Sequence, residues 1–177
     1  TAMAYYFMDV FQAEKTHLDD LNFYADQALM YDDELAQALI AKSLYYRTKN
    51  DCDRAIPYLE KALVFNPNSA LALNFMSDIY ALCLPDTGKY FTHALRGLEI
   101  NVVASDSATT SINYMHVSNA LVQNGFVREA EHYIGVSKRF DSNNIFAEYL
   151  EAYILLARDR DLQATRERLE KTLAKDT

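Results

Sequence analysis

Residues 38–67 read ALIAKSLYYRTKNDCDRAIPYLEKALVFNP and carry the clearest pattern in the chain. Apolar and small residues recur there three or four positions apart, which is typical of packed helices. Asn50 and Asp51 predict a turn, and Pro67 marks an end, because proline cannot continue a helix. The residues on the packed side are Leu39, Ser43 and Tyr46, then Ala55, Leu59 and Ala62. The stretch therefore predicts a helix-turn-helix unit.

The unit recurs along the chain, because the same spacing starts again at Ala2, Ala36, Ala70, Ser111 and Ile145. It resembles the tetratricopeptide repeat, a 34-residue family with large, small and aromatic residues at fixed positions. The resemblance implies an all-α, right-handed α-α superhelix, or solenoid, of about ten helices. We expect one domain over residues 1–177, as part of a longer protein, with repeats at about 2–35, 36–69, 70–110, 111–144 and 145–177.

Some places depart from the pattern. The first repeat has Asp9 and Gln12 where a small residue and a large one are expected, and the third has a shifted loop around Pro85. Seven extra residues in 102–110 predict a longer loop followed by an extended first helix. They are either a partner-contacting insertion or a tolerated change of length, since long loops cost little free energy. Pro57 fits a first helical turn if Asp53 is the N-cap.

Composition excludes several classes of function. Only 4 Gly and 3 Pro in 177 residues favour helices, and a net charge of -8 opposes binding to a nucleic-acid backbone. The apolar stretch Ala2 to Phe11 is too short to span a membrane, so we predict no membrane insertion in this segment. Cys52 and Cys83 lack a paired spacing and are interpreted as free thiols. The compartment is left open, with the cytoplasm slightly favoured.

No motif for catalysis is visible. The sequence has no glycine-rich phosphate loop, G-x-S-x-G, H-E-x-x-H or paired-cysteine motif, and we expect neither an enzyme nor a cofactor. His17, His93, His116 and His132 are dispersed, which argues against a metal site. An alternative, a helical enzyme acting through Asp78 and Tyr153, depends only on their predicted position in a groove.

The resemblance also implies a binding surface, because positions 5 and 9 of each first helix line the concave side in this family. Those residues are Tyr6, Val10, Ile40, Leu44, Asn74, Asp78, Met115, Asn119, Tyr149 and Tyr153. We expect Tyr149 and Tyr153, one helical turn apart, to form an aromatic ledge. The family's carboxylate-binding clamp is not expected, since of its residues the chain offers Asn119 alone.

The function predicted from these features is a non-enzymatic scaffold that binds a peptide or a partner helix in its groove. The alternative is a regulatory or sensory domain of a longer enzyme or transcription regulator, with an intramolecular partner. The apolar first helix, Ala2 to Phe11, predicts either an edge cut from a longer array or a homodimer interface. The last helix has one apolar stripe and suits an exposed cap.

Overall fold

The computed structural model describes residues 2–101 and 106–174, and all of its regular structure is helical. These residues contain ten α-helices and no strand, which confirms the predicted all-α helical-repeat fold. None of the helices in this part of the chain is long and apolar enough to cross a membrane. The helices are α1 Ala2–Asp9, α2 Leu18–Tyr31, α3 Ala36–Thr48, α4 Cys52–Phe65, α5 Ala70–Asp78, α6 Thr87–Asn101, α7 Ser107–Gln123, α8 Val127–Phe140, α9 Ile145–Asp159 and α10 Leu162–Leu173.

Helix starts follow the 34-residue spacing. Helices α3, α5 and α9 begin at Ala36, Ala70 and Ile145, the first residues of their predicted repeats. Helix α7 begins at Ser107, four residues before Ser111, so the first helix of the fourth repeat is extended as the insertion predicts. Residues 102–105 of that insertion lie outside the described residues.

Several helices begin at a side-chain cap, which satisfies a backbone N–H that has no partner inside the helix. Each cap accepts a hydrogen bond from the backbone N–H three residues later; the caps are Asp51, Ser69, Asp106, Asn144 and Asp161. The cap of α4 is therefore Asp51 and not the predicted Asp53. Pro57 consequently lies in the second turn of α4, where its missing N–H removes one hydrogen bond without ending the helix.

The chain forms two compact units, with the division after Pro85. Unit 1 holds α1 to α5, and unit 2 holds α6 to α10. The division falls between the two helices of the third predicted repeat, in the loop around Pro85 where the repeat pattern shifts. Each unit is described by itself below.

In unit 1, the small and apolar residues of the repeat pattern form the core. Helix α3 packs against α1, α2 and α4 at once. Leu39 and Leu59 are buried beside the small residues Ser43, Ala55 and Ala62. Small side chains let the helix axes approach to about 8–10 Å, while the leucines fill the space at the sides of the crossing.

The end of α5 in unit 1 widens into a π-helical segment, Ile79–Cys83. Its wider turn is closed by the N–H of Leu84 donating to the carbonyl of Ile79, five residues earlier, at 2.9 Å. Cys83 forms a disulfide with Cys52, the first residue of α4, across a Cα–Cα distance of 6.4 Å. The prediction of free thiols is therefore wrong, because α4 packs on α5 and on the π-helical segment that follows it, which brings the two cysteines within bonding reach.

Unit 2 follows the repeat most closely in α7 and α8. Ala130 and Ile134 of α8 are fully buried, and the hydroxyl of Ser118 on α7 donates to the Ala130 carbonyl at 2.7 Å. A second buried hydroxyl, that of Ser137 on α8, donates to the Ser111 carbonyl of α7 at 2.8 Å. Hydrogen bonds thus join the two helices at both ends of their contact.

Candidate partner-binding surfaces

Unit 1 contains six of the predicted groove residues, and the structure divides them. Ile40 and Leu44 are 2% and 0% exposed, so they are core residues that a partner cannot reach, which corrects their assignment to an open groove. The reason is that α1, α2 and α4 together cover α3. The others retain some accessible surface: Val10, Asn74 and Asp78 are half-buried, and Tyr6 is 8% exposed.

Tyr6 and Val10 line an open cavity of about 390 Å³ in unit 1, here called the unit 1 cavity. Its walls come from α1, from the loop before α2 and the first turn of α2, from the end of α3 and from the π-helical segment. Arg47 lies on the α3 side and Leu82, 72% exposed, on the π-helical side. The disulfide residue Cys83 lies beside Leu82, so this wall is attached covalently to α4.

Arg47 is held by two neighbours. Its Nη1 donates to the Tyr6 hydroxyl at 3.2 Å, and its Nη2 lies 3.5 Å from the Asp78 carboxylate. Burial raises the pKa of Tyr6 above its ordinary value, although the Arg47 charge acts in the opposite direction, so the phenol stays neutral near pH 7. The Tyr6 ring meets Phe75 edge to face, with 5.9 Å between centroids. Arg47 is therefore charge-balanced by a group of its own unit.

Asp9, the carboxylate that lines the cavity, also forms its hydrogen bonds within unit 1. The Asp9 carboxylate accepts from the His17 backbone N–H at 2.7 Å and lies 2.8 Å from His17 Nδ1. Burial alone would raise the pKa of Asp9, but the hydrogen bonds from His17 outweigh it and the pKa lies below its ordinary value. Lys15 donates to the Asp9 carbonyl at 2.7 Å. Asp9 departs from the repeat pattern because it fixes the loop between α1 and α2.

In unit 2, the predicted residues lie on two helices that pack together, α7 and α9. We call them the α7/α9 residues: Met115 and Asn119 on α7, Tyr149 and Tyr153 on α9. Tyr153 is 59% exposed and the other three are half-buried, so all are accessible to some degree. The Asn119 side-chain oxygen accepts from Gln123 at 3.3 Å. A binding role for them stays a prediction.

Arg47 and Leu82 are not among the residues predicted from the sequence, because the family's binding surface takes only two positions from each first helix. A signal was nevertheless present, since Leu82 follows Asp78 by four residues and Arg47 follows Leu44 by three. Residues three or four apart lie on the same helix face, so extending each predicted face by one turn finds both side chains.

The structure offers no metal-binding group within the described residues, where no three His, Cys, Asp or Glu side chains cluster suitably. Asp78, the carboxylate of the alternative enzyme hypothesis, is paired with Arg47.

No family model matches the chain, and no curated protein matches it. Solved structures do. PilF of Pseudomonas aeruginosa is similar at a TM-score of 0.77 and 16% identity, over 99% of this chain and 76% of that one. Two structures of MamA are similar at TM-scores of 0.68 and 0.67, both at 15% identity, over 92% and 99% of this chain and 90% and 91% of theirs. The likeness shows a tetratricopeptide-like fold.

Proposed function

We propose that this chain is a non-enzymatic scaffold and that the unit 1 cavity receives an apolar side chain from a peptide or helix of a protein partner. The observation that carries the proposal is an open cavity that combines aromatic and aliphatic side chains with polar ones, and whose charged side chains are engaged within unit 1. Pockets of this kind bind mainly by burying apolar surface, with a few polar groups at the rim that orient the ligand.

The pairing of charges decides which ligand fits. An incoming carboxylate would have to compete with Asp78 for Arg47, and an incoming cation would have to compete with His17 for Asp9. Each exchange gives up one charge-assisted bond to make another, so it gains little free energy. A neutral apolar group avoids that exchange and removes the exposed Leu82 from water. The cavity therefore favours Leu, Met or an aromatic side chain.

The test begins by selecting binders from a library of displayed random peptides with the intact chain. Affinity of one selected peptide is then measured by calorimetry for the wild type and for Leu82→Glu. We expect binding to weaken at least about tenfold, since a charge is placed at an apolar wall, with little change in melting temperature because Leu82 is exposed.

Val64→Glu is the matched control. Val64 on α4 is also 72% exposed and does not line the cavity. The same change of an aliphatic residue to glutamate there should leave affinity within about twofold of wild type. Equal weakening by both variants, or none by Leu82→Glu, would contradict the cavity as the binding site.

The α7/α9 residues form a second region of the proposed scaffold. Exposed tyrosines often contribute much of the free energy of binding at interfaces. In the same assay, the double change Tyr149→Ala and Tyr153→Ala is compared with Phe146→Ala, since Phe146 on α9 is 58% exposed, close to the 59% of Tyr153. We expect at least about tenfold weaker binding from the double variant alone, for peptides that require unit 2. An equal loss with Phe146→Ala would remove this region from the proposal.

A further inference from the structure

Helix α2 of unit 1 has two apolar faces, and only one of them is buried. The inner face carries Leu21 and Ala25, which are 1% and 0% exposed against α1 and α3. The opposite side, here called the α2 outer face, carries Phe23, Tyr24, Gln27, Met30 and Tyr31. These residues recur at intervals of three or four, so they form one stripe along the helix.

The α2 outer face is exposed at four of its five residues, which are the aromatic and apolar ones; the fifth, Gln27, is half-buried. Phe23 is 56% exposed, Met30 78% and Tyr31 89%, well above the exposure of the repeat core. The rings at its centre are ordered, since Tyr24 stacks on Tyr5 at 5.4 Å and meets Phe23 edge to face at 5.3 Å. Contiguous exposed apolar surface of this kind marks an interaction site more often than scattered single residues do.

A shallow groove of about 300 Å³ runs beside the stripe. Met3 of α1 forms one side, Tyr24 and Tyr31 of α2 the other, and Leu35 lies near its end. The stripe runs from Phe23 to Tyr31, and a helix rises about 1.5 Å per residue, so the stripe is about 12 Å long. This length suits about two apolar turns of a partner helix laid along α2, with its flanking turns beside the acidic ends of the 14-residue helix.

The charged residues at the two ends of α2 indicate what charge a partner should carry. Asp19 and Asp20 stand at the start of α2, and Asp32, Asp33 and Glu34 follow its end, all of them exposed. Helix α2 itself contains no Lys, Arg or His. Among the described residues, Lys61 lies 3.3 Å from Asp33 and Lys49 lies near enough to Asp19 for their charges to interact, so the five carboxylates keep an excess of negative charge. Both ends of the stripe are therefore negative.

A second copy of this chain fits poorly. Two α2 helices laid side by side would bring acidic ends together whether they ran parallel or antiparallel, and like charges across an interface disfavour association. We propose that the α2 outer face docks an amphipathic helix of a protein partner that carries Lys or Arg at both ends of an apolar stripe. This interface is separate from the unit 1 cavity and does not depend on it.

The probes are two synthetic helical peptides with the same leucine stripe, one flanked by lysines and one by glutamates. Binding of each labelled peptide to the full chain is followed by fluorescence anisotropy. We expect the lysine-flanked peptide to bind at least about tenfold more tightly, and its affinity to fall as salt screens the exposed charges. Equal binding of the two peptides, or binding unaffected by salt, would overturn the charge assignment.

Two variants locate the site. Combining Phe23→Ala, Met30→Ala and Tyr31→Ala should abolish binding of the lysine-flanked peptide without lowering the melting temperature, because all three side chains are more than half exposed. The control is Leu162→Ala with Leu173→Ala, which removes apolar groups 73% and 60% exposed on α10. Unchanged binding by the first variant, or equal loss by the control, would overturn the proposal.

Sedimentation of the free chain decides between a partner helix and a second copy. We expect a monomer up to high micromolar concentration. A dimer that the triple variant Phe23→Ala, Met30→Ala and Tyr31→Ala converts to monomer would overturn the proposal and assign the α2 outer face to self-association.

Discussion

The two units use the same residue differently at the eighth position of the repeat. Ser43 and Ser77 in unit 1 and Ser118 in unit 2 are all at most 1% exposed. Ser118 donates to the Ala130 carbonyl at 2.7 Å, whereas the hydroxyls of Ser43 and Ser77 have no hydrogen-bond partner among the described residues. The position therefore selects a small side chain for close packing, and the hydroxyl contributes only where a carbonyl lies within reach.

The difference extends to the other interactions that hold each unit. Unit 2 joins its helices by buried hydrogen bonds, and the Asn144 side chain adds one to the Ser111 hydroxyl at 2.9 Å. Unit 1 relies more on ring contacts, such as the stacking of Tyr46 on Tyr58 at 5.6 Å, and on its disulfide. Three perturbations compare the two units.

The largest effect on stability is expected from truncating core side chains at equivalent positions of two repeats, because each truncation leaves a cavity. Leu59 in unit 1 and Ile134 in unit 2 both occupy position 24 of their repeats and are fully buried. Truncating either to alanine should cost about 2–5 kcal/mol, through lost burial and an unfilled cavity. Urea unfolding followed by circular dichroism measures the cost, and hydrogen exchange shows where the fold loosens.

We expect faster exchange in α3 and α4 for Leu59→Ala and in α7 and α8 for Ile134→Ala. The wild-type chain is the reference in both measurements. If either variant speeds exchange equally in both units, the chain unfolds as one cooperative body and the comparison between units has no energetic meaning.

Local features of the fold could be predicted from the sequence. The starts of α3, α5 and α9 follow from helical spacing, because every residue that decides them lies within one repeat. The extension of α7 follows from capping residues such as Asp106 in the insertion.

Features that depend on neighbouring repeats could not be predicted in the same way. Burial of Ile40 and Leu44 requires knowing that three helices cover α3. The bond between Cys52 and Cys83 requires the packing of α4 on α5, although a separation of 31 residues, close to one repeat, is a signal that adjacent repeats bring them near. The family pattern gives average positions, and those averages do not include these contacts.

The next largest effect is expected from reducing the disulfide. The bond closes a loop of 31 residues, for which the chain-entropy model gives about 3–4 kcal/mol of stabilisation. Reduction should therefore lower the urea midpoint and speed exchange in α4 and α5 but not in unit 2, because both cysteines of the chain lie in unit 1. A thiol assay of the unfolded, unreduced chain should find no free thiol.

The double variant Cys52→Ser and Cys83→Ser serves as the control, because added reductant should not change its stability. An unreduced chain with two titratable thiols would show that the disulfide does not form. Disulfides persist mainly in oxidising compartments, so the reduced chain is the form expected if the protein works in the cytoplasm.

The smallest effect is expected at the serines themselves. Ser118→Ala keeps the volume of the side chain but removes a buried hydrogen bond, which typically contributes about 0.5–1.5 kcal/mol. Ser77→Ala removes a hydroxyl that was buried without a partner, so its free energy of unfolding should stay unchanged or rise. Urea midpoints of the two variants, each compared with wild type, separate these outcomes.

A loss of stability for Ser77→Ala as large as for Ser118→Ala would mean that an ordered water forms a hydrogen bond with the Ser77 hydroxyl. Unit 1 would then also use polar contacts at this position, and the two units would differ only in whether the partner is a carbonyl or a water.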